Sequence, residues 1–175
     1  MRSNHAWTRL FVALALIVLW SSVPSCSKDE DPRAKKARKL ANDFHAAILN
    51  GDIKQMLELA DYPFNFDGQG KFKDPESLKA MFEKHRSTMR QQIQPATNLE
   101  VATWDEFTSG REFNNTKLKK DEALKQASRV DFRDDGVIVR CYFVDSKSEK
   151  QDGRCYFLVI HPNLLGELKV TTYWD

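Results

Sequence analysis

Three cysteines in 175 residues are too few for a disulfide framework. Six prolines and seven glycines exclude a collagen-like or Gly/Pro-rich linker composition. None of the four histidines stands at metal-ligand spacing from another, and the chain has no G-x-S-x-G, no P-loop and no dinucleotide-binding glycine pattern. No metal and no cofactor is therefore expected. Charge of neither sign dominates: of the 27 basic residues Arg2 and Arg9 lie near the N-terminus, and without them 25 basic face 25 acidic residues. A nucleic-acid partner, which would require a basic stripe, is not expected.

Long apolar runs are missing except for Leu10–Trp20 (LFVALALIVLW), which is shorter than the roughly 20 residues of a spanning helix. The run follows Arg2 and Arg9 and precedes Ser21 and Ser22, the plan of a secretory signal over residues 1–25. Val23-Pro24-Ser25-Cys26 resembles the bacterial lipoprotein signal, with an aliphatic residue three before the cysteine and a small one immediately before it. Pro24 departs from that pattern. The resemblance implies an exported chain whose acylated Cys26 anchors it to a membrane at the cell envelope, since more than one acyl chain holds a protein stably. The alternative is a soluble secreted or periplasmic product starting at the same residue. Residues 26–36, rich in charge and carrying Pro32, read as a solvated tether.

From residue 37 to 175 the pattern is that of one α+β domain. Ala37, Leu40, Ala41, Phe44, Ala47 and Ile48 recur at helical spacing up to Asn50-Gly51, a left-handed stop. Asp52 can cap a short second helix with Ile53, Met56, Leu57 and Ala60 inward, ended by Asp61-Tyr62-Pro63. Phe64 and Phe66 alternate with polar residues ahead of Gly68, as in a short strand and turn. Asp74 and Pro75 open a third helix whose stripe is Leu78, Met81, Phe82, His85 and Met89. Then the period changes: Leu99–Thr108, Val137–Asp145, Arg154–His161 and Glu167–Trp174 read as antiparallel strands, with turns at Asp134-Asp135-Gly136, Asp152-Gly153 and Pro162–Gly166. The polar stretch 111–129 reads as an insertion with at most a surface helix on Leu118, Leu124 and Ala127.

This order of elements resembles the cone-shaped, cystatin-like superfamily named after nuclear transport factor 2, which includes ketosteroid isomerases and polyketide cyclases. The resemblance is carried by Phe44–Asp52 (FHAAILNGD), Leu59–Gly68 (LADYPFNFDG) and Leu168–Asp175 (LKVTTYWD). It implies three helices packed in the concave face of a strongly curved antiparallel sheet, with a pocket at the open end. In the isomerases a carboxylate shuttles the proton and a tyrosine on the first helix donates to the oxyanion. By local correspondence these fall at Asp67 and Phe44, the candidate pocket residues, and phenylalanine has no proton to donate. Asp67 is also the ordinary Asp of an Asp-Gly turn. The expectation is a binding or scaffold domain without catalysis, whose partner is a small apolar ligand or an envelope protein; the alternative is an isomerase- or cyclase-type enzyme using Asp67 or a histidine.

Cys141 and Cys155 each begin Cys-Tyr-Phe and follow an arginine, so a hairpin symmetric about Ser148 sets them opposite one another, as a disulfide or as two reduced thiols. In that register Val137, Val139, Cys141 and Phe143 share the helix-facing side with Cys155, Phe157 and Val159. Arg140, Tyr142, Arg154 and Tyr156 then lie on the other side with Ile138, Leu158 and Ile160, a surface suited to a homodimer.

Overall fold

A computed structural model of the chain describes residues 31–93, 97–110, 112–113, 116–117, 119–144 and 151–175. The leader and Cys26 lie outside the described residues. Among those described, no helix is long and apolar enough to cross a membrane.

The first helix, α1 (Pro32–Asn50), starts earlier than its apolar stripe announces. Asp31 caps it by accepting from the Arg33 amide at 2.7 Å, Pro32 occupies the first turn, and Ala34 is buried. Residues 32–36, expected in the tether, are therefore helical: a proline that breaks a helix interior favours its first turn. Gly51 ends α1 with φ 64°, and a side chain there would meet the guanidinium of Arg86. Asp52 and Asp74 cap α2 (Ile53–Leu59) and α3 (Pro75–Gln92) as the sequence indicates. Between them run β1 (Ala60–Phe66), which begins where Ala60 was expected in the helix, and β2 (Lys71–Phe72).

The expected strand 99–108 divides. After β3 (Thr97–Thr103), Thr103 and Glu106 form a reciprocal capping box that starts α4 (Trp104–Thr108). The hairpin β4 (Glu112–Phe113) and β5 (Thr116–Lys117) and the helix α5 (Lys120–Arg129) follow, then β6 (Val137–Val144), β7 (Gln151–Pro162) and β8 (Leu168–Trp174). Asp152-Gly153, expected as a turn, lies inside β7.

The main sheet has the order β2-β1-β8-β7-β6-β3. Its pairs are antiparallel except β1 with β8, which run parallel, so the α+β fold has a mixed sheet. The register of β6 and β7 is one residue from the expected one: Cys141 faces Tyr156 and Tyr142 faces Cys155. A one-residue slip exchanges the faces of a whole strand. Tyr156, Leu158 and Ile160 therefore point to the helix side with Val137, Val139 and Cys141, whereas Val159 and Phe157 point away with Ile138. Cys141 and Cys155 sit on opposite faces as free thiols, not as the opposed pair.

Both faces of the sheet are covered. Helices α1–α3 bury the inner face around Phe44, Phe64, Phe82, Leu158 and Tyr173. The expected insertion and its flanks bury the outer face: Phe113, Ala123 and Ala127 from within 111–129, with Phe107 before it and Phe132 after it, close over Ala102, Ile138 and Val159. The expected dimer residues therefore do not share one exposed face: Tyr156 lies in the inner core and Arg140 is only 4% exposed. Arg140 pairs with Glu100 across the strand at 3.3 Å and stacks on Tyr142. The side chain of Arg154 lies outside the description.

Candidate functional site

Alternate residues of β7 and β8 project toward the helices, and the register of β7 sets Tyr156 there beside Tyr173 of β8, with ring centroids 5.2 Å apart. Phe66 of β1 stacks on Tyr173 at 5.1 Å, and His85 of α3 lies 5.2 Å from Phe66. At the other end His45 of α1 lies parallel to Tyr156, 6.1 Å away. The result is a ladder of five rings, His45, Tyr156, Tyr173, Phe66 and His85, crossing the inner face from α1 to α3. Beside it Phe44, Phe64 and Phe82 pack edge and face at 5.6 to 6.5 Å. Phe44 is fully buried, and it fills space with hydrocarbon where the resemblance implied a hydroxyl donor.

The ladder carries one polar knot. His45 Nδ1 and the Tyr156 hydroxyl are 2.7 Å apart and buried, and the hydroxyl also hydrogen-bonds the Cys141 thiol. Tyr156 has a single proton, so it donates to one of these partners and accepts from the other. Burial pushes the Cys141 thiol up to about 12, and burial also raises Tyr156 well above its ordinary value. Both stay protonated at neutral pH, so Cys141 is no thiolate nucleophile.

Asp67 sits at the rim. It has φ 43°, precedes Gly68, and donates its amide to the Tyr173 carbonyl at 2.8 Å. Its Oδ1 accepts from the Asp175 amide at 3.3 Å. Asp67 is thus the turn residue that ties β1 to the end of β8. Burial, reinforced by Asp67, raises the carboxyl of Asp175, and burial followed by Asp175 and Asp67 raises the Tyr173 hydroxyl. The structure accordingly separates Phe44 from Asp67 in role: one is core, the other joins a rim of two carboxylates that the sequence did not indicate.

His161 lies at the opposite end of β7, 2% exposed. Its Nε2 accepts from the Arg133 amide at 3.3 Å and lies 3.6 Å from Asp135, and its Nδ1 pairs with the Thr171 hydroxyl at 2.8 Å. Gly136 passes so close that an added Cβ would meet the imidazole at 2.6 Å. Burial and then Arg133 lower its pKa, so His161 is a neutral strut under the Asp134-Asp135-Gly136 turn. Among the described residues no three histidine, cysteine or carboxylate side chains gather as metal ligands.

An open groove runs along α3, lined by Glu83, Lys84, Arg86, Ser87, Arg90 and Gln91. Arg90 donates to the Leu49 carbonyl at 3.0 Å, and Arg86 lies against Gly51. Both arginines therefore serve the C-terminal end of α1, where cations are favoured.

The sequence matches no family model and no curated protein. Solved structures do resemble it at low identity. A nuclear transport factor 2-like protein with a cystatin-like fold from Novosphingobium aromaticivorans shares 12% identity over 98% of this chain and 90% of that one, with a TM-score of 0.43. A nuclear transport factor 2-like protein of unknown function from Pseudomonas putida KT2440 shares 10% over 81% and 83%, with a TM-score of 0.40. A ketosteroid isomerase-like protein from Erwinia carotovora atroseptica shares 9% over 82% and 95%, with a TM-score of 0.43.

Proposed function

We propose that this chain is an exported, membrane-anchored binding or scaffold domain without catalytic activity, held at the envelope by acyl chains on Cys26. The observation that carries the reading is the ring-filled inner face. Phe44, Phe64, Phe82, Tyr156 and Tyr173 are at most 2% exposed, so space that could take a small substrate holds the protein's own side chains. Two of the ionisable groups there, Cys141 and Tyr156, are held in their neutral forms by burial. A partner is then met on the surface.

The acid–base alternative has one observation in its favour, the convergence of Asp67 and Asp175 with Tyr173 at the rim, where burial and Asp67 raise Asp175. Native mass spectrometry of the full chain extracted from membranes distinguishes the two readings. The expected result is an acylated chain with no small molecule retained one to one. A retained molecule that the protein turns over, with the rate falling about a hundredfold or more in Asp67→Asn, would establish the enzyme instead.

A further inference from the structure

The turn between β7 and β8 exposes two consecutive leucines. Leu164 is 106% and Leu165 84% exposed, whereas large apolar side chains elsewhere among the described residues are buried or half-buried, apart from Leu124 at 38%. A flexible loop would let such residues fold back on the protein, but this one is fixed. The Asn163 carboxamide oxygen accepts from the amides of Leu165 and Glu167, both at 2.9 Å. The Asn163 amide donates to the Glu167 carbonyl, and the Gly166 amide to the Asn163 carbonyl. Asn163 also reaches the Glu167 carboxylate, and Gly166 supplies the positive φ of 79°. The turn therefore holds both leucines in water at the full hydrophobic cost of doing so.

The position of the tip relative to the chain's start gives this exposure a meaning. Arg33, in the first turn of α1, donates to the Asp135 carbonyl at 3.4 Å. The Asp135 carboxylate is 3.6 Å from His161 of β7, which lies three residues before Leu164 in the chain. The N-terminal end of α1 and the leucine tip thus occupy the same end of the domain. Cys26 precedes the cap residue Asp31 by five residues, a span of at most about 17 Å when fully extended. A lipid on Cys26 would therefore draw this end of the domain, and not the opposite one, against the bilayer.

Resting on the anchored reading above, we propose that Leu164 and Leu165 insert into the bilayer surface beside the anchor and fix the orientation of the domain on the membrane. Charges of both signs flank the tip: Glu167 and Lys169 follow the leucines in the chain, and Arg33 reaches the Asp135 carbonyl. Insertion accordingly depends on apolar contact and not on anionic lipid.

The test uses the full chain isolated with its native N-terminus and reconstituted in phosphatidylcholine vesicles, with Leu165→Trp as a depth probe. After removal of the leader, Trp104 and Trp174 in the body provide the baseline. Brominated acyl chains are expected to quench the added emission at least about threefold more strongly than the baseline, with little change when about a third of the lipid is anionic. Leu164→Asp combined with Leu165→Trp should abolish that difference, and both positions are so exposed that folding is unaffected. Quenching at 165 equal to the baseline in a chain whose Cys26 is acylated overturns tip insertion and leaves the anchor standing. An unacylated Cys26 by mass spectrometry overturns the anchor; tip insertion then stands or falls on the same quenching. A photo-crosslinker at position 165 that joins a protein and no lipid assigns the leucines to a protein partner and overturns the proposal.

Discussion

The two faces of the sheet are buried by different means. The inner face is covered by helices whose apolar residues recur at regular spacing, and its centre is a continuous body of aromatic rings. The outer face is covered by short elements in and beside a polar stretch, with isolated phenylalanines and two alanines closing over Ala102, Ile138 and Val159. Regular amphipathic helices announce a core in the sequence, whereas a layer assembled from single residues on capped turns does not. The same comparison predicts that the inner layer carries global stability and that the outer layer opens first.

The most damaging change should be Phe44→Ala. Phe44 is fully buried against Phe64 and Phe82, and removing such a ring costs about 3–5 kcal/mol in a core that cannot collapse around the gap. Urea unfolding should show that loss as a lower midpoint with little change in slope. Phe132→Ala in the outer layer should cost less, at about 3 kcal/mol, because its neighbour Trp104 is half-exposed and free to move in. Hydrogen exchange should then show amides of α5 opening well before those of α1 in this variant. Equal protection of the two helices would mean that the outer layer belongs to the same cooperative unit as the inner one.

Most inner elements were legible because their signals are local. Asp52, Asp74 and Pro75 mark helix starts, and Gly51 marks a stop, whatever the rest of the chain does. The register of β7 was not legible, for a reason that the comparison supplies. With both faces covered, β6 and β7 are apolar on both sides, and alternation can no longer tell in from out. Ile138 and Val139, or Leu158 and Val159, are all buried, so the repeated Cys-Tyr-Phe suggested a symmetry that the backbone does not follow. Thr103 with Glu106 was a readable helix start, hidden because Val101, Ala102 and Trp104 match a strand equally well. The aromatic ladder depends on that register, and so its polar knot of His45, Tyr156 and Cys141 could not be read from the sequence.

Tyr156→Phe sharpens the account of the knot. It removes one partner from His45 Nδ1 while keeping the ring stack, and depriving a buried group of its partner costs about 1–3 kcal/mol. Pairing it with His45→Leu should recover part of that loss, because neither position then carries a polar group, while Cys141 still lacks the hydroxyl. If the single and double variants were equally destabilised, the hydrogen bond would contribute nothing beyond the rings.

The smallest expected effect is a pH dependence located at His161, where the outer layer meets the strands. The folded pKa lies below the ordinary 6.5, through burial first and Arg133 second, against the opposing pull of Asp135, Asp131 and Asp134. Well above 6.5 the imidazole is neutral in both folded and unfolded chains, and it adds no slope. As the pH falls below that value the unfolded chain takes up a proton that the folded chain refuses, so stability declines until the folded pKa is passed. For one group the slope is at most about 1.4 kcal/mol per pH unit. Denaturation followed between pH 7 and 5 should show this decline in the native sequence. In His161→Gln, which can still reach Thr171, the decline should flatten to the background of the carboxylates. The opposite sign, a protein that gains stability on mild acidification and loses the gain in His161→Gln, would mean that Asp135 at 3.6 Å outweighs burial and holds a protonated imidazole. The strut beneath the turn would then be an ion pair, and the outer layer would be held more firmly in acid than at neutral pH.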